Sequence, residues 1–467
     1  MTNTSPSRDT ASNGNRGRAA VLISLGIAIG ASISFGHSVL ALKDQNPMDA
    51  PIAYQEVIAL TQVLDRVKRS YVEPVDDKEA WEGAIRGMLQ SLDPHSAYLD
   101  EDDFEDMNVS TTGQFGGLGI EVNMQDGFVK VVSPLDDTPA DAAGMRAGDL
   151  VIRIDSKPVK GMTLKDAVDL MRGEPDTDII LTVVRDGEPA PFDVTITRAI
   201  IKIQSVKKRM LEDGIGYLRV TQFQSTTGKG LYEALESLET ENKGKLKGVV
   251  LDLRNNPGGV LTASVDVAGM FLEEKLVVYI QGREESTRRD YFDRKADRLN
   301  GAPVVVLVNE GSASASEIVA GALQDHKRAL IMGRQTFGKG SVQSIYQISE
   351  NTAFKLTTAR YYTPSGRSIQ AEGIKPDIEI PRAKIETLDT SSFRRLREKD
   401  LANSLENKDK KITDEEKQDQ EKQAFSSVKG EKPAEKPEKE LSLAEKDYEL
   451  YEALNLLKGA IFMHSRR

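Results

Sequence analysis

The hydrophobic rhythm of the chain changes several times along its length. Between about 50 and 110, apolar residues return at helical spacing: Val57, Leu60, Val63, Leu64 and Val67, then Ile85, Met88, Leu89 and Leu92, with Pro74 between the runs. That period predicts two amphipathic helices separated at the proline. From 113 the pattern shifts to short apolar runs broken by turn residues. It predicts strands over Gly119–Val122, Phe128–Val132, Leu150–Ile154, Ile179–Arg185 and Phe192–Thr197, with a helix over Leu164–Arg172. Gly127, Gly148-Asp149, Lys157-Pro158 and Asp186-Gly187 supply the turns. Residues 113–200 therefore read as one compact, mostly β domain.

From 205 to 384, buried-type runs at Gly216–Val220, Val249–Leu253, Val277–Ile280, Val304–Val308 and Leu330–Met332 alternate with helical stretches at 227–243, 261–271 and 315–326. Alternating strands and helices predict a layered α/β core. Two later runs, 342–348 and 353–361, read as a hairpin. Over 385–440, Lys, Glu, Asp and Gln dominate, and Pro433 and Pro437 fall in a repeated Glu-Lys-Pro pattern. Such a segment buries too little apolar surface to fold alone. The closing stretch, 441–467, places Leu450, Leu454, Leu457 and Ile461 at helical spacing, a helix expected to dock on the body or on another subunit.

The first 43 residues stand apart. Arg8, Arg16 and Arg18 precede an uncharged, largely apolar run from Ala19 to Leu42 that ends at Lys43. Basic flank, apolar run and small residues near Val39 and Ala41 read as an export signal or an uncleaved inner-membrane anchor. Everything after Lys43 is then expected in the bacterial periplasm. The net charge of -11 argues against a nucleic-acid partner. The absence of cysteine excludes disulfides, thiolate metal sites and thiol nucleophiles. No cofactor and no metal is called for.

Gly116-Gly117-Leu118-Gly119-Ile120 leads directly into a predicted strand. Adjacent glycines let successive N–H groups converge on an anion, and an edge strand after them can accept an extended peptide. Gly117, Leu118, Gly119 and Ile120 are thus candidates to hold a C-terminal carboxylate. Val168 and Met171, on the helix ending Leu170-Met171-Arg172-Gly173, would line the pocket for the last side chain. The glycine cluster alone would be an ordinary tight turn. Followed by Gly144-Met145-Arg146-Ala147-Gly148-Asp149, it resembles the PDZ domains of bacterial proteases.

Asn309-Glu310-Gly311-Ser312-Ala313-Ser314-Ala315-Ser316-Glu317 follows a buried strand and opens a helix. A serine there can present its hydroxyl where the helix dipole and free N–H groups favour a developing oxyanion. Spacing does not separate Ser312, Ser314 and Ser316, and Ser314-Ala315-Ser316-Glu317 also fits a plain capping box. A histidine base fits poorly. His37 lies in the export segment, His464 in the tail and His326 about three turns down the same helix, while His95 stays open. Lysine is the other choice: Lys339 lies between glycines in Thr336-Phe337-Gly338-Lys339-Gly340-Ser341-Val342-Gln343. Burial would favour its neutral amine, and Gln343 could hold its rotamer.

Taken together, Leu92-Asp93-Pro94-His95-Ser96-Ala97-Tyr98-Leu99, the PDZ segment, Leu251-Asp252-Leu253-Arg254-Asn255-Asn256-Pro257-Gly258-Gly259, the Ser-Ala-Ser-Ala-Ser run and Gly338-Lys339-Gly340 resemble the C-terminal processing peptidases. The resemblance spans about 55 to 384. It implies a crotonase-like α/β core with an N-terminal helical region and a PDZ domain inserted between them. It implies Ser314 as nucleophile, Lys339 as general base and Gln343 as its support. The oxyanion donors would be the N–H of Ala315 and of Gly258 or Gly259. Asp325 occupies a position tied in the family to charge relay, with a structural role equally open. The resemblance also implies a PDZ domain that gates the site, helical-repeat adaptor proteins and oligomers through terminal helices. The reading that follows is a serine endopeptidase acting on exported proteins with apolar C-termini. A non-catalytic PDZ scaffold and a crotonase-like acyl-CoA enzyme are the competing classes.

Overall fold

The computed structural model describes residues 54–294, 296–383, 441–464 and 466. The expected export segment and the charged stretch 385–440 lie outside the described residues. The described residues fall into two compact units, divided after Met88. In the first, the helices Tyr54–Ser70 and Asp77–Gln90 follow the two predicted runs. Leu60, Val63, Leu64 and Val67 line an open apolar pocket of about 320 Å³ with Val75, Ala80, Trp81 and Ala84.

The second unit is built on a six-stranded sheet. Its order is Val206–Glu212, Ile215–Val220, Gly248–Asp252, Val304–Val308, Leu330–Gly333 and Ile378–Glu379. The first strand is antiparallel and all later pairings are parallel. Central parallel strands are covered on both faces, which is why Val249–Leu253 and Val304–Val308 read as unbroken apolar runs. Successive residues still alternate between the faces. Val249, Leu251, Val304, Val306 and Val308 pack against the helices Thr227–Glu241, Leu261–Gly269 and Ala315–Asp325. Val250, Val305 and Leu307 pack against Leu450, Ala453, Leu454 and Leu457 of the closing helix Tyr448–His464. That helix therefore docks on the body of its own chain.

The predicted strand Val277–Ile280 forms, as Leu276–Gln281, but joins a different sheet. It pairs antiparallel with Arg289–Phe292 and Ala353–Tyr362. The second of these makes the expected hairpin with Ser341–Gln347 and also pairs with Ala97–Leu99. Its half-buried pattern distinguishes this strand from the central five-residue runs.

The β-rich domain orders its strands Ile120–Gln125, Phe128–Pro134, Leu150–Ile154, Asp178–Val184 and Phe192–Thr197, leaving the first at an edge. The helix Leu164–Met171 begins in a capping box from Thr163 and Asp166. Buried Arg198 donates to the carbonyls of Leu170 and Met171 at its other end, where a cation also suits the helix dipole. A second strap, Gln114–Gly117 with Ala199–Lys202, closes the point where the chain enters and leaves the domain.

Asp149 is 1 % exposed and takes two 2.7 Å bonds from Arg185 and one from the Arg146 N–H. Asp149→Ala strands the Arg185 guanidinium and is expected to destabilise the domain by about 3–5 kcal/mol. Urea unfolding followed by amide exchange of the 129–131 strand measures this.

Candidate active site

The parallel strands Gly248–Asp252 and Val304–Val308 deliver two loops to the same carboxyl end of the sheet, where open α/β folds form their crevices. A cleft of about 690 Å³ lies there, lined by Ser314, Ala315, Gly259, Lys339, Gln343 and His95, among others. Residues from four sequence motifs thus meet in one place.

The serine ambiguity left by the sequence is resolved by hydrogen bonding. The Ser312 hydroxyl is buried and donates to Leu253 O at 2.8 Å. That of Ser316 is buried and donates to Asn256 O at 2.9 Å. Ser314 alone of the three lines the cleft. It sits at the start of the Ala315–Asp325 helix with φ 55° and ψ −113°. A non-glycine residue held at such a φ costs of order 1–3 kcal/mol, strain that concentrates at functional sites.

Glu317 explains how that backbone is held. Its carboxylate is fully buried and accepts four bonds: Ser314 N–H at 2.7 Å, Thr336 Oγ1 at 2.6 Å, Gly338 N–H at 2.7 Å and Lys339 N–H at 2.9 Å. One side chain therefore ties the serine loop to the lysine loop. Burial pushes the carboxyl up, against the downward pull of those donors. The sequence reading placed Glu317 only in a capping box. Its bonds to the lysine loop, 21 and 22 residues downstream, carry no local sequence signal.

Lys339 is partly buried, and its ammonium is held below the usual lysine range, first by burial and next by the charge of Lys355; Asp93 and Glu317 act against this. His95, also in the cleft, is lowered by burial and then by Lys339. Asp93 organises the histidine turn, accepting from the N–H groups of His95 and Ser96 and from the hydroxyls of Ser96 and Thr357. Tyr361, missed from sequence, lines the cleft at 2 % exposure; burial first, and then the charge of Glu317, push its phenol well above the usual range, while the Ser314 side chain acts against this.

The glycine turn abuts the serine. A Cβ on Gly258 would lie 2.6 Å from the Ser314 Cβ and 3.0 Å from Ala315 N, so only glycine fits there. The Gly258 N–H is already bonded to Asn256 Oδ1 at 2.9 Å, which leaves Gly259 as the donor the turn can offer. Gln343 and Asp325 fall in different places. Gln343 lines the cleft, but its amide nitrogen donates to Ser341 Oγ at 3.0 Å and Thr357 Oγ1 at 3.2 Å, so only its carbonyl can serve an amine. Asp325 is not among the cleft residues. Its carboxylate takes the Ser365 N–H at 2.8 Å and pairs with Arg367, anchoring a turn at the far end of the helix.

Gly117, Leu118, Gly119, Ile120, Val168 and Met171 all line a second, small apolar pocket of about 90 Å³ between the edge strand and the Leu164–Met171 helix. The helix Glu101–Thr112 adjoins both sites. Phe104, Met107, Asn108 and Thr111 line the Ser314 cleft from one face. From another, Asp102 pairs with Lys165 and Asp106 with Arg172 of the PDZ domain.

Residues 214–380 match the model of peptidase family S41, 130–185 that of a PDZ domain, and 34–103 that of the activating protease CtpB N-terminal domain. A carboxy-terminal-processing protease of Bartonella bacilliformis is 47 % identical over 365 residues, covering 78 % of this chain and 82 % of the relative. The carboxy-terminal processing protease CtpA of Bacillus subtilis is 36 % identical over 335 residues, 71 % of each chain. Among solved structures, a photosystem II D1 C-terminal processing protease aligns at 32 % identity over 70 % of this chain and 94 % of its own, with a TM-score of 0.41. The crotonase-like core and its PDZ domain fit these relatives, which speak for a protease over a non-catalytic scaffold. The chain belongs to peptidase family S41 and is a serine-type, carboxy-terminal-processing protease that takes protein or peptide substrates.

Proposed function

We propose that Ser314 is the nucleophile and Lys339 the general base of an endopeptidase that grips its substrates by their C-termini through the PDZ groove. The observation that carries this reading is the Glu317 clamp, which fixes the Ser314 and Lys339 backbones to one carboxylate at the wall of one cleft. The neutral Lys339 amine takes the Ser314 hydroxyl proton as Oγ attacks the scissile carbonyl. The resulting oxyanion receives the N–H groups of Ala315, unpaired at a helix start, and Gly259. The Lys339 ammonium then gives its proton to the leaving amine, and the peptide bond breaks to leave an acyl-serine. Water, deprotonated by the same lysine, releases the acid and restores Ser314.

In the PDZ groove the turn 117–119 meets the terminal carboxylate, the free edge of Ile120–Gln125 extends the sheet with substrate backbone, and Val168 and Met171 receive an apolar last side chain. The apolar run after Arg18 supports a periplasmic site of action, with the N-terminal segment either removed or held in the inner membrane. Exposed Val57, Leu60, Val63 and Val67 on the Tyr54–Ser70 helix support self-association through the terminal helices, and a helical-repeat adaptor is a further partner of the same class.

Ser314→Ala and Lys339→Ala should each abolish cleavage of an unstructured protein with an apolar tail, read by gel and mass spectrometry. The wild-type rate should rise with pH, because the neutral amine is the working form, and reach half its maximum below the usual lysine pKa of about 10.4. Lys355→Met removes a repelling charge, so the Lys339 pKa rises and the profile moves to higher pH; an unmoved or acid-shifted profile contradicts the assigned base.

Glu317→Gln faces an amide N–H₂ toward N–H donors. An unsatisfied buried donor costs about 1–3 kcal/mol, and turnover should fall at least tenfold while the PDZ domain still binds peptide. Val168→Glu places a carboxylate against an apolar tail. In the Ser314→Ala background it should weaken binding of a fluorescent C-terminal peptide at least tenfold, as should amidating the peptide's C-terminus. Unchanged anisotropy titrations in both cases would place the tail elsewhere.

A further inference from the structure

The strand Gly248–Asp252 ends in the turn that carries Gly258 and Gly259, and its alternation sends neighbouring residues to opposite faces of the sheet. Leu251 and Leu253 join the core under the serine helix, whereas Val250 and Asp252 face the closing helix Tyr448–His464. Asp252 is fully buried and Arg254 is 9 % exposed. The Arg254 guanidinium reaches back to both Asp252 oxygens, at 3.0 and 2.6 Å. Its other edge is filled from a segment nearly two hundred residues away in sequence. Asp447 accepts two bonds of 2.8 Å and Glu449 one of 2.8 Å. Glu449 also pairs with Arg334, which pairs in turn with Glu310 at the edge of the serine loop. Burial alone would raise the Asp447 carboxyl, but the Arg254 bonds outweigh it and hold the group below its usual range.

Arg254 is thus where the back of the sheet meets the glycine turn. Beyond it, Asn255, Asn256 and Gly258 are stitched to the serine side, while the Gly258 carbonyl also accepts from the Phe223 N–H. Asn255 and Asn309 exchange two bonds, Asn256 O takes the Ala313 N–H and the Ser316 hydroxyl, and Gly258 packs on Ser314. A shift of Arg254 would move the backbone that presents the Gly259 N–H.

We infer that Asp447 and Glu449 are positioning residues of the active site, and that the closing helix is a latch whose acidic start holds the Arg254 turn in register with Ser314. The latch acts from the face of the sheet opposite the cleft and touches no substrate. It rests on the proposed Ser314 site for its effect on turnover, but not for its effect on the turn itself. Bidentate Arg–carboxylate pairing fixes direction as well as distance, which an apolar helix face cannot do.

The test uses the full chain with Asp447→Asn and Glu449→Gln combined, which leaves the apolar face of the helix intact. Three quantities are read: kcat and KM on the tail-bearing protein, amide exchange across 253–260, and the melting temperature. The latch predicts kcat at least tenfold lower, KM within about twofold of wild type, and faster exchange across 253–260 with the PDZ strands unchanged. Asp447→Glu, which keeps the charge, should retain most of the activity. Wild-type kcat in the folded double variant overturns the inference, as does a lower kcat with unaltered exchange at 253–260. If the double variant melts below the assay temperature, Glu449→Gln alone reads the same signature at smaller scale, and its absence there also overturns the inference. Exchange needs no turnover, so a wild-type enzyme that failed to cleave would refute the Ser314 assignment while leaving the latch to be judged separately.

Discussion

The catalytic geometry depends on one buried carboxylate. Glu317 lies on the first turn of the serine helix and accepts from the backbone at Ser314, Gly338 and Lys339 and from the Thr336 hydroxyl. Ser314 has a backbone conformation that a side-chain-bearing residue avoids, and Lys339 sits in a glycine-flanked loop with little conformational preference of its own. Neither segment would hold its shape without an acceptor between them. The Thr336 hydroxyl also takes the Ile374 N–H, so the clamp extends to the segment leading to the last strand of the sheet. The cost is a desolvated acid, which burial drives upward. Four donors compensate, and truncating the side chain would strand all of them at once.

The sheet supplies the second constraint. Strands covered on both faces carry polar chemistry only where they end, and here two adjacent parallel strands end together. One ends in the glycine turn and the other in the serine loop, and the close approach of Gly258 to Ser314 brings the two backbones into contact. The same alternation that packs Leu251 and Leu253 beneath the cleft puts Asp252 on the far face. The buried ion cluster at Arg254 is therefore a direct consequence of strand geometry one residue out of phase with the core.

How much of this the sequence discloses depends on the range of the interaction. Strand and helix periods place Leu150–Ile154, Phe192–Thr197 and Val304–Val308 to the residue, because burial on one or two faces writes itself into the local pattern. The groove residues were legible for the same reason: glycines, strand and helix lie in order along one short segment. The second sheet was not, since the apolar run at Val277–Ile280 gives no sign of which partner it takes. Nor was the clamp. Glu317 at three residues from Ser314 is indistinguishable from a capping residue until the lysine loop folds onto it. The spacing suggests Gln343 as a support for the amine but does not disclose its further partner, the Thr357 hydroxyl, which the hairpin register sets opposite it. Asp325 shares a helix with Ser314, but eleven residues is three turns, and its bonds go to the far end.

The two sites are joined by a weaker kind of contact than the one that builds the catalytic cleft. The Glu101–Thr112 helix shows its apolar face to the cleft and its acidic face to the PDZ domain. The Asp102–Lys165 pair is largely solvent-exposed and the Asp106–Arg172 pair is exposed on its aspartate side, and exposed pairs contribute about 0–1 kcal/mol each and weaken with salt. The Glu317 clamp, by contrast, is sealed from water. A joint of about a kilocalorie per contact can be shifted by a ligand that binds one arrangement only several-fold better than another. A buried carboxylate with four donors cannot. The fold therefore concentrates its rigidity around Ser314 and Lys339 and leaves its compliance between their cleft and the pocket beside the edge strand.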